Sequence, residues 1–191
     1  MENIKSKILD LGGYKPSILS RGELLFSEII LKDVNDYFDT EVPNDYKQFM
    51  SDICAFTFNE SVAFNTDVEI PVASDGEIPV DNFYDFSEGD TSILSAIKRL
   101  SGNLPKSILP ICEGAPGDII GINMLREKYG KIYYWHHEGY EDDNLYLIAE
   151  SFNDFIANLS QERESQLPSS DVKILYESED FLERLRESGK L

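Results

Sequence analysis

Three short apolar runs in the second half of the chain set the strongest limit on its architecture. Ile108-Leu109-Pro110-Ile111, the Ile119-Ile120-Gly121-Ile122 run within residues 117–123, and Ile132-Tyr133-Tyr134-Trp135 after Lys131 are too short for helices. Their β-branched and aromatic content is that of buried strands. Gly114-Ala115-Pro116-Gly117-Asp118 reads as a tight turn between the first two runs, and Tyr129-Gly130 joins the last two in a hairpin-like loop longer than the two-residue kind. A chain carrying this block must build a sheet there.

Helical patterns lie on either side. Residues 23–38 place Leu24, Leu25, Phe26, Ile29, Ile30, Val34, Tyr37 and Phe38 at spacings of three and four, the stripe of an amphipathic helix. Val42-Pro43-Asn44-Asp45 is a helix entry, with Pro43 near the first turn and Asp45 favourable to the helix dipole, leading to Tyr46, Phe49, Met50 and Ile53 on one face. Asp90-Thr91-Ser92 precedes a third stripe of Ile93, Leu94, Ile97 and Leu100, and Ser151 with Asp154 forms a capping-box pattern before Phe152, Phe155, Ile156 and Leu159. Between the second and third helices, Phe56, Phe58, Val62, Phe64, Val68, Ile70 and Val72 predict short antiparallel strands. Val172, Ile174 and Leu175 suggest one more strand, and Ser178-Glu179-Asp180 caps a last helix. Helices and strands occur in clumps and do not alternate as βαβ units. The predicted fold is therefore α+β, a single domain with a central, mostly antiparallel sheet flanked by helices.

Charge narrows the function. The 191 residues hold 36 Asp and Glu against 17 Lys and Arg, a formal charge of −19. No Lys or Arg occurs between Lys47 and Lys98, or between Lys131 and Arg163. Nucleic-acid backbones and anionic membranes would be repelled, so neither is expected as a partner. No stretch has the length of a membrane span, and the N-terminus lacks a signal-peptide apolar core, which points to the cytoplasm. Cys54 and Cys112 cannot make a disulfide framework or a CxxC pair and are expected as core residues.

Catalytic patterns find little support. His136-His137-Glu138 invites a metal reading, but neighbours on a strand point to opposite faces and position 141 is Glu, so no HExxH motif exists and no metal is expected. The glycine-bearing turn at 114–118 lacks the ending of a phosphate loop. No GxSxG elbow occurs, and a nucleophile would have only the adjacent His136 and His137 as base. Paired acids of a glycosidase need only two carboxylates, which so acidic a chain always supplies, so residue type carries no signal. No cofactor is expected. Two stretches combine aromatic rings with acids: Asp81 to Asp90, with Tyr84, Asp85 and Glu88, and Tyr133 to Tyr146, with Trp135, Glu138, Tyr140, Glu141, Asp142 and Asp143. Such stretches serve either as half-core, half-solvated loops or as a binding surface for a basic protein, the rings supplying contact area and the acids steering association.

The order of motifs resembles a known family. Val42-Pro43-Asn44-Asp45-Tyr46-Lys47-Gln48-Phe49-Met50 is similar to the helix entry of the SUKH superfamily, which includes a yeast cell-wall assembly regulator and many bacterial immunity proteins. Ile108-Leu109-Pro110-Ile111 followed by residues 117–122 resembles its strand pair, residues 129–138 its aromatic strand, and residues 148–159 its terminal helix segment. The family's Asn-Gly-Gly turn is replaced by Ile53-Cys54-Ala55-Phe56-Thr57. The resemblance implies a SUKH-like domain over 22–160, an N-terminal extension at 1–21 and a strand-helix appendage at 161–191. It further implies a non-catalytic protein that binds a cognate toxin, with a basic nuclease domain as the partner the charge would suit. Tyr84, Asp85, Glu88, Asp90, Trp135, Glu138, Tyr140, Glu141, Asp142 and Asp143 are the expected contact residues. A regulatory adaptor is the alternative, and an enzyme using a carboxylate pair stands third.

Overall fold

The computed structural model describes residues 2–16, 26–53, 56–71, 73, 76–139 and 144–162. The sequence-predicted strand and helix beyond residue 170, together with Tyr140, Glu141, Asp142, Asp143, Cys54 and Val72, lie outside the described residues.

The elements run α1 (Glu2–Asp10), β1 (Tyr14–Pro16), α2 (Glu28–Phe38), α3 (Asn44–Ile53), β2 (Phe56–Phe58), β3 (Val62–Asn65), β4 (Glu77–Val80), α4 (Ile93–Arg99), β5 (Ile108–Glu113), β6 (Ile119–Asn123), β7 (Ile132–Trp135), β8 (Leu145–Ala149), α5 (Phe152–Ala157) and β9 (Leu159–Gln161). The fold is α+β, as expected, with all strand pairing antiparallel in three sheets ordered β1-β2, β4-β3-β9 and β5-β6-β7-β8.

Local chemistry sets the helix ends. Ser27 caps α2 by accepting from the Ile30 amide at 3.3 Å, and Asp39 closes it in the left-handed region at φ 51°. Ser92 accepts from the Ser95 amide at 3.1 Å to start α4. At α5 Ser151 accepts from the Asp154 amide at 3.1 Å and donates to the Asp154 carboxylate at 2.7 Å. These side chains satisfy amides that the first helical turn leaves unpaired. Helix α3 buries Tyr46, Phe49, Met50 and Ile53, the face its spacing predicts.

The four-stranded sheet forms from the three apolar runs plus β8. Strand β5 is an edge strand carrying Pro110, which has no amide to donate, and its register shifts between Pro110 and Cys112. Gly121 lies opposite Pro110, where an added Cβ would stand 2.4 Å from Ile108 Cγ2 and 2.8 Å from the Leu109 carbonyl oxygen, so only glycine permits this approach. Residues 81–84 run along the open edge of β5: the Asp81 amide donates to Glu113 O (2.9 Å), the Tyr84 amide to Ile111 O (3.0 Å), and the Glu113 amide to Asn82 O (3.1 Å). That cover removes an edge that would otherwise template aggregation. Aromatic rings fill the space between α3, α5 and the strands, with Phe56 stacked on Phe83 at 4.6 Å and Phe49 packed on Phe152 at 4.8 Å.

Several expectations change. Helix α2 begins at Glu28, where Ser27 supplies the cap, and the predicted stripe residues Leu24 and Leu25 lie outside the described residues. Val68 and Ile70 lie beyond the end of β3 in irregular chain, with Val68 exposed. Leu159, assigned by spacing to α5, instead opens β9 and pairs with Phe64. The N-terminal segment, outside the family resemblance, packs on the body: Ile8 and Leu11 enter the core and β1 pairs with β2.

Candidate functional site

The hairpin register decides what meets at the end of the large sheet. Strand β6 pairs with β7 so that Ile119 faces Trp135 and Ile120 faces Tyr134. Continuing that ladder by one residue puts Asp118 opposite His136. Alternation then places Asp118, Ile120, Tyr134 and His136 on one face of the sheet. His137 follows where the chain turns out of β7 and returns toward the same point.

Asp118 is the centre of this cluster. Its side chain is 1% exposed. The Tyr134 hydroxyl donates to one carboxylate oxygen in a short hydrogen bond, and the His137 amide donates to the other at 2.9 Å. His136 Nδ1 lies 3.1 Å from Oδ2, and His137 Nδ1 lies 2.6 Å from Oδ1. Burial is the largest influence on the carboxyl and would raise its pKa. The bonds from Tyr134, the His137 ring and amide, and His136 together outweigh it and hold the pKa below the ordinary carboxylate value. Tyr134 is pushed the other way, first by burial and then by its bond to Asp118.

The two imidazoles thus converge on one carboxylate, against the expectation that they diverge. Alternation carries as far as His136, whose amide still pairs with the Asn144 carbonyl beyond the end of β7, and it fails only at His137, the first residue of the turn. The His137 ring lies over Gly117, where a Cβ would sit 2.7 to 2.8 Å from three of its ring atoms.

A groove of about 820 Å³ opens beside this cluster, with Asp118 in its wall. Glu60, Asp81, Glu113 and Glu162 also line it, and Arg99 is the single cation among its lining residues. Arg99 donates to the Tyr84 hydroxyl at 2.9 Å, while that hydroxyl donates to Glu113 at 3.1 Å. The Tyr84 phenol is raised well above its ordinary pKa, by burial first and by Glu113 second. Cys112, behind the groove wall, is fully buried, and burial lifts its thiol well above the usual range, so no thiolate is available there.

The expected contact residues divide three ways. Glu88, Asp90 and Glu138 are exposed. Tyr84, Asp85 and Trp135 are buried, with their side chains committed to packing or to loop hydrogen bonds, so they are not surface anchors. Asp85 accepts from the Ser87 amide (3.0 Å), Ser87 Oγ (2.6 Å) and Thr91 Oγ1 (2.9 Å) and thereby closes its own loop. Tyr140, Glu141, Asp142 and Asp143 fall outside the described residues. Reading single motifs missed the Asp118 cluster and the groove acids Glu60, Asp81, Glu113 and Glu162. The signal for the cluster was present in the register of the 117–123 and 131–135 strands, which aligns residue 118 with residue 136.

No helix among the described residues is long and apolar enough to cross a membrane. Residues 26–158 match the SMI1 / KNR4 family (SUKH-1). The chain is also 27% identical over 174 residues to the SPbeta prophage-derived uncharacterized protein YokK of Bacillus subtilis (strain 168), a match covering 84% of each chain.

Proposed function

The chain belongs to the SMI1 / KNR4 family (SUKH-1), and from that premise we propose that it is a non-catalytic immunity protein that binds and neutralises a cognate bacterial toxin domain. A basic nuclease domain is the toxin type its charge complements. The observation that carries the reading is the groove lined by the accessible acids Glu60, Asp81, Glu113 and Glu162 with Arg99 as the one cation among its lining residues, in a chain of net charge −19. Nuclease domains must hold a polyanion and present basic side chains to do so, and an acidic surface speeds encounter with them and can cover the track that phosphates would follow. The exposed acids Glu88, Asp90 and Glu138 are proposed as further contact residues, and the sequence adds Glu141, Asp142 and Asp143 as contact acids and Tyr140 as an aromatic anchor. Inhibition is by occlusion, one toxin domain per chain, in the cytoplasm, and needs no cofactor. The prophage origin of the Bacillus subtilis relative fits a gene carried by mobile elements.

The test is capture of partners from the native host lysate at low and at high salt, with bound proteins identified by mass spectrometry. One near-stoichiometric basic polypeptide that survives high salt supports the immunity role. A set of weak partners that wash off together would overturn it in favour of the regulatory adaptor.

A further inference from the structure

The Asp118 cluster has a chemistry that partner binding does not use. We propose that Asp118, His136 and His137 form a binding site for one divalent cation of the zinc type.

One potential ligand atom from each residue lies within 4.8 Å of the other two. Two imidazole nitrogens and one carboxylate oxygen are a borderline donor set that favours Zn²⁺ and its transition-metal neighbours over Mg²⁺ or Ca²⁺, which prefer all-oxygen shells. The donors are held in place by groups that a metal would not displace. The Tyr134 hydroxyl and the His137 amide fix the Asp118 carboxylate. Gly117 leaves room for the His137 ring and for nothing larger than its own hydrogen beneath it. Outer partners of this kind orient metal ligands.

Access is also present, because the His137 side chain is 38% exposed while Asp118 and His136 are nearly covered. In the metal-free protein each ring can donate a Nδ1 proton to Asp118. Metal binding requires the Nδ1 lone pairs, so the ring protons move to Nε2. On His137 that new donor faces Glu138, whose Oε1 lies 3.9 Å from Nε2, a natural outer-shell acceptor. A neutral ring exchanges one tautomer for the other with no net proton release, and solvent completes the coordination.

The experiment uses the full chain, stripped with EDTA and titrated with ZnCl₂ by isothermal calorimetry at neutral pH. One saturable equivalent is expected, reversed by EDTA, unaffected by excess Mg²⁺, and accompanied by a rise in thermal midpoint. His137→Asn, at a partly exposed position, is expected to keep the fold and, since loss of even an outer partner costs up to about 100-fold, to weaken Zn²⁺ binding by at least that much. Imidazole nitrogen NMR should show both Nδ1 signals shift on metal addition. Binding of several equivalents, competition by Mg²⁺, or unchanged affinity in His137→Asn would overturn the site and leave only diffuse attraction to an acidic chain. No saturable binding at all would show that the cluster is a hydrogen-bonded latch alone.

Discussion

Two buried aspartates solve the same problem in different ways. Asp85 and Asp118 are both almost fully covered, and each carboxylate is surrounded by donors. Asp85 takes its donors from Ser87 and Thr91, within six residues on its own loop. Asp118 takes its donors from Tyr134, His136 and His137, sixteen to nineteen residues away on another strand and its turn. One carboxylate shapes a loop; the other fastens the 114–118 turn to the end of β7. A local network can relax into water when its acceptor is lost, whereas a non-local one strands buried groups on two elements at once.

The largest effect should follow Asp118→Ala, which leaves the Tyr134 hydroxyl and His136 without their acceptor. A loss of about 3 kcal/mol in urea unfolding is expected, with Asp118→Asn milder. Asp85→Ala should cost about 1–2 kcal/mol, because Ser87 and Thr91 can turn to solvent. If the Asp85 variant proves equal or worse, the contrast between local and non-local closure fails. Gly117→Ala sharpens the comparison at smaller cost: with φ at 91° and the His137 ring against it, about 1 kcal/mol is expected. Its NMR signature should be a shifted His137 ring with the Asp85 loop unchanged.

A pH ramp separates core from surface with no mutation. Burial raises the Tyr46 and Tyr84 phenols above their ordinary value. A phenol raised in the folded state contributes stability that is full below the unfolded value of about 10 and is lost as pH climbs through the raised one. Helical circular dichroism should therefore fall together with the last rise in tyrosinate absorbance. Complete tyrosine ionisation in a still-folded protein would contradict the burial of these two rings.

Legibility in the sequence followed the range of the interaction. Helices α3 and α5 were readable because their caps and apolar stripes are written within a few residues, as at Ser151 and Asp154. The three apolar runs announced β5, β6 and β7. Strand β4 was not readable, because Glu77–Val80 becomes a strand by pairing with β3, whereas β8 was overlooked although Leu145–Ala149 is an apolar run like the other three. Helix α1 was overlooked although Ile4, Ile8 and Leu11 already sit at helical spacing. Tyr84 and Trp135 were read as anchors from their chemistry alone. Strand β7 is buried along its whole length, so its aromatic residues belong to the core on both faces. The histidine pair was misjudged for want of one fact, the residue at which β7 ends.

The proposed neutralisation of a basic toxin by this acidic chain is open to a co-expression test. The basic polypeptide captured from the host should arrest growth when expressed alone, and the wild-type chain should restore growth. The Glu88→Lys, Asp90→Lys and Glu138→Lys triple variant, altered only at exposed positions, should fold normally, bind more slowly at low salt and protect less. Full protection by the triple variant would remove these acids from the interface, and a captured partner without toxicity would contradict the immunity function itself.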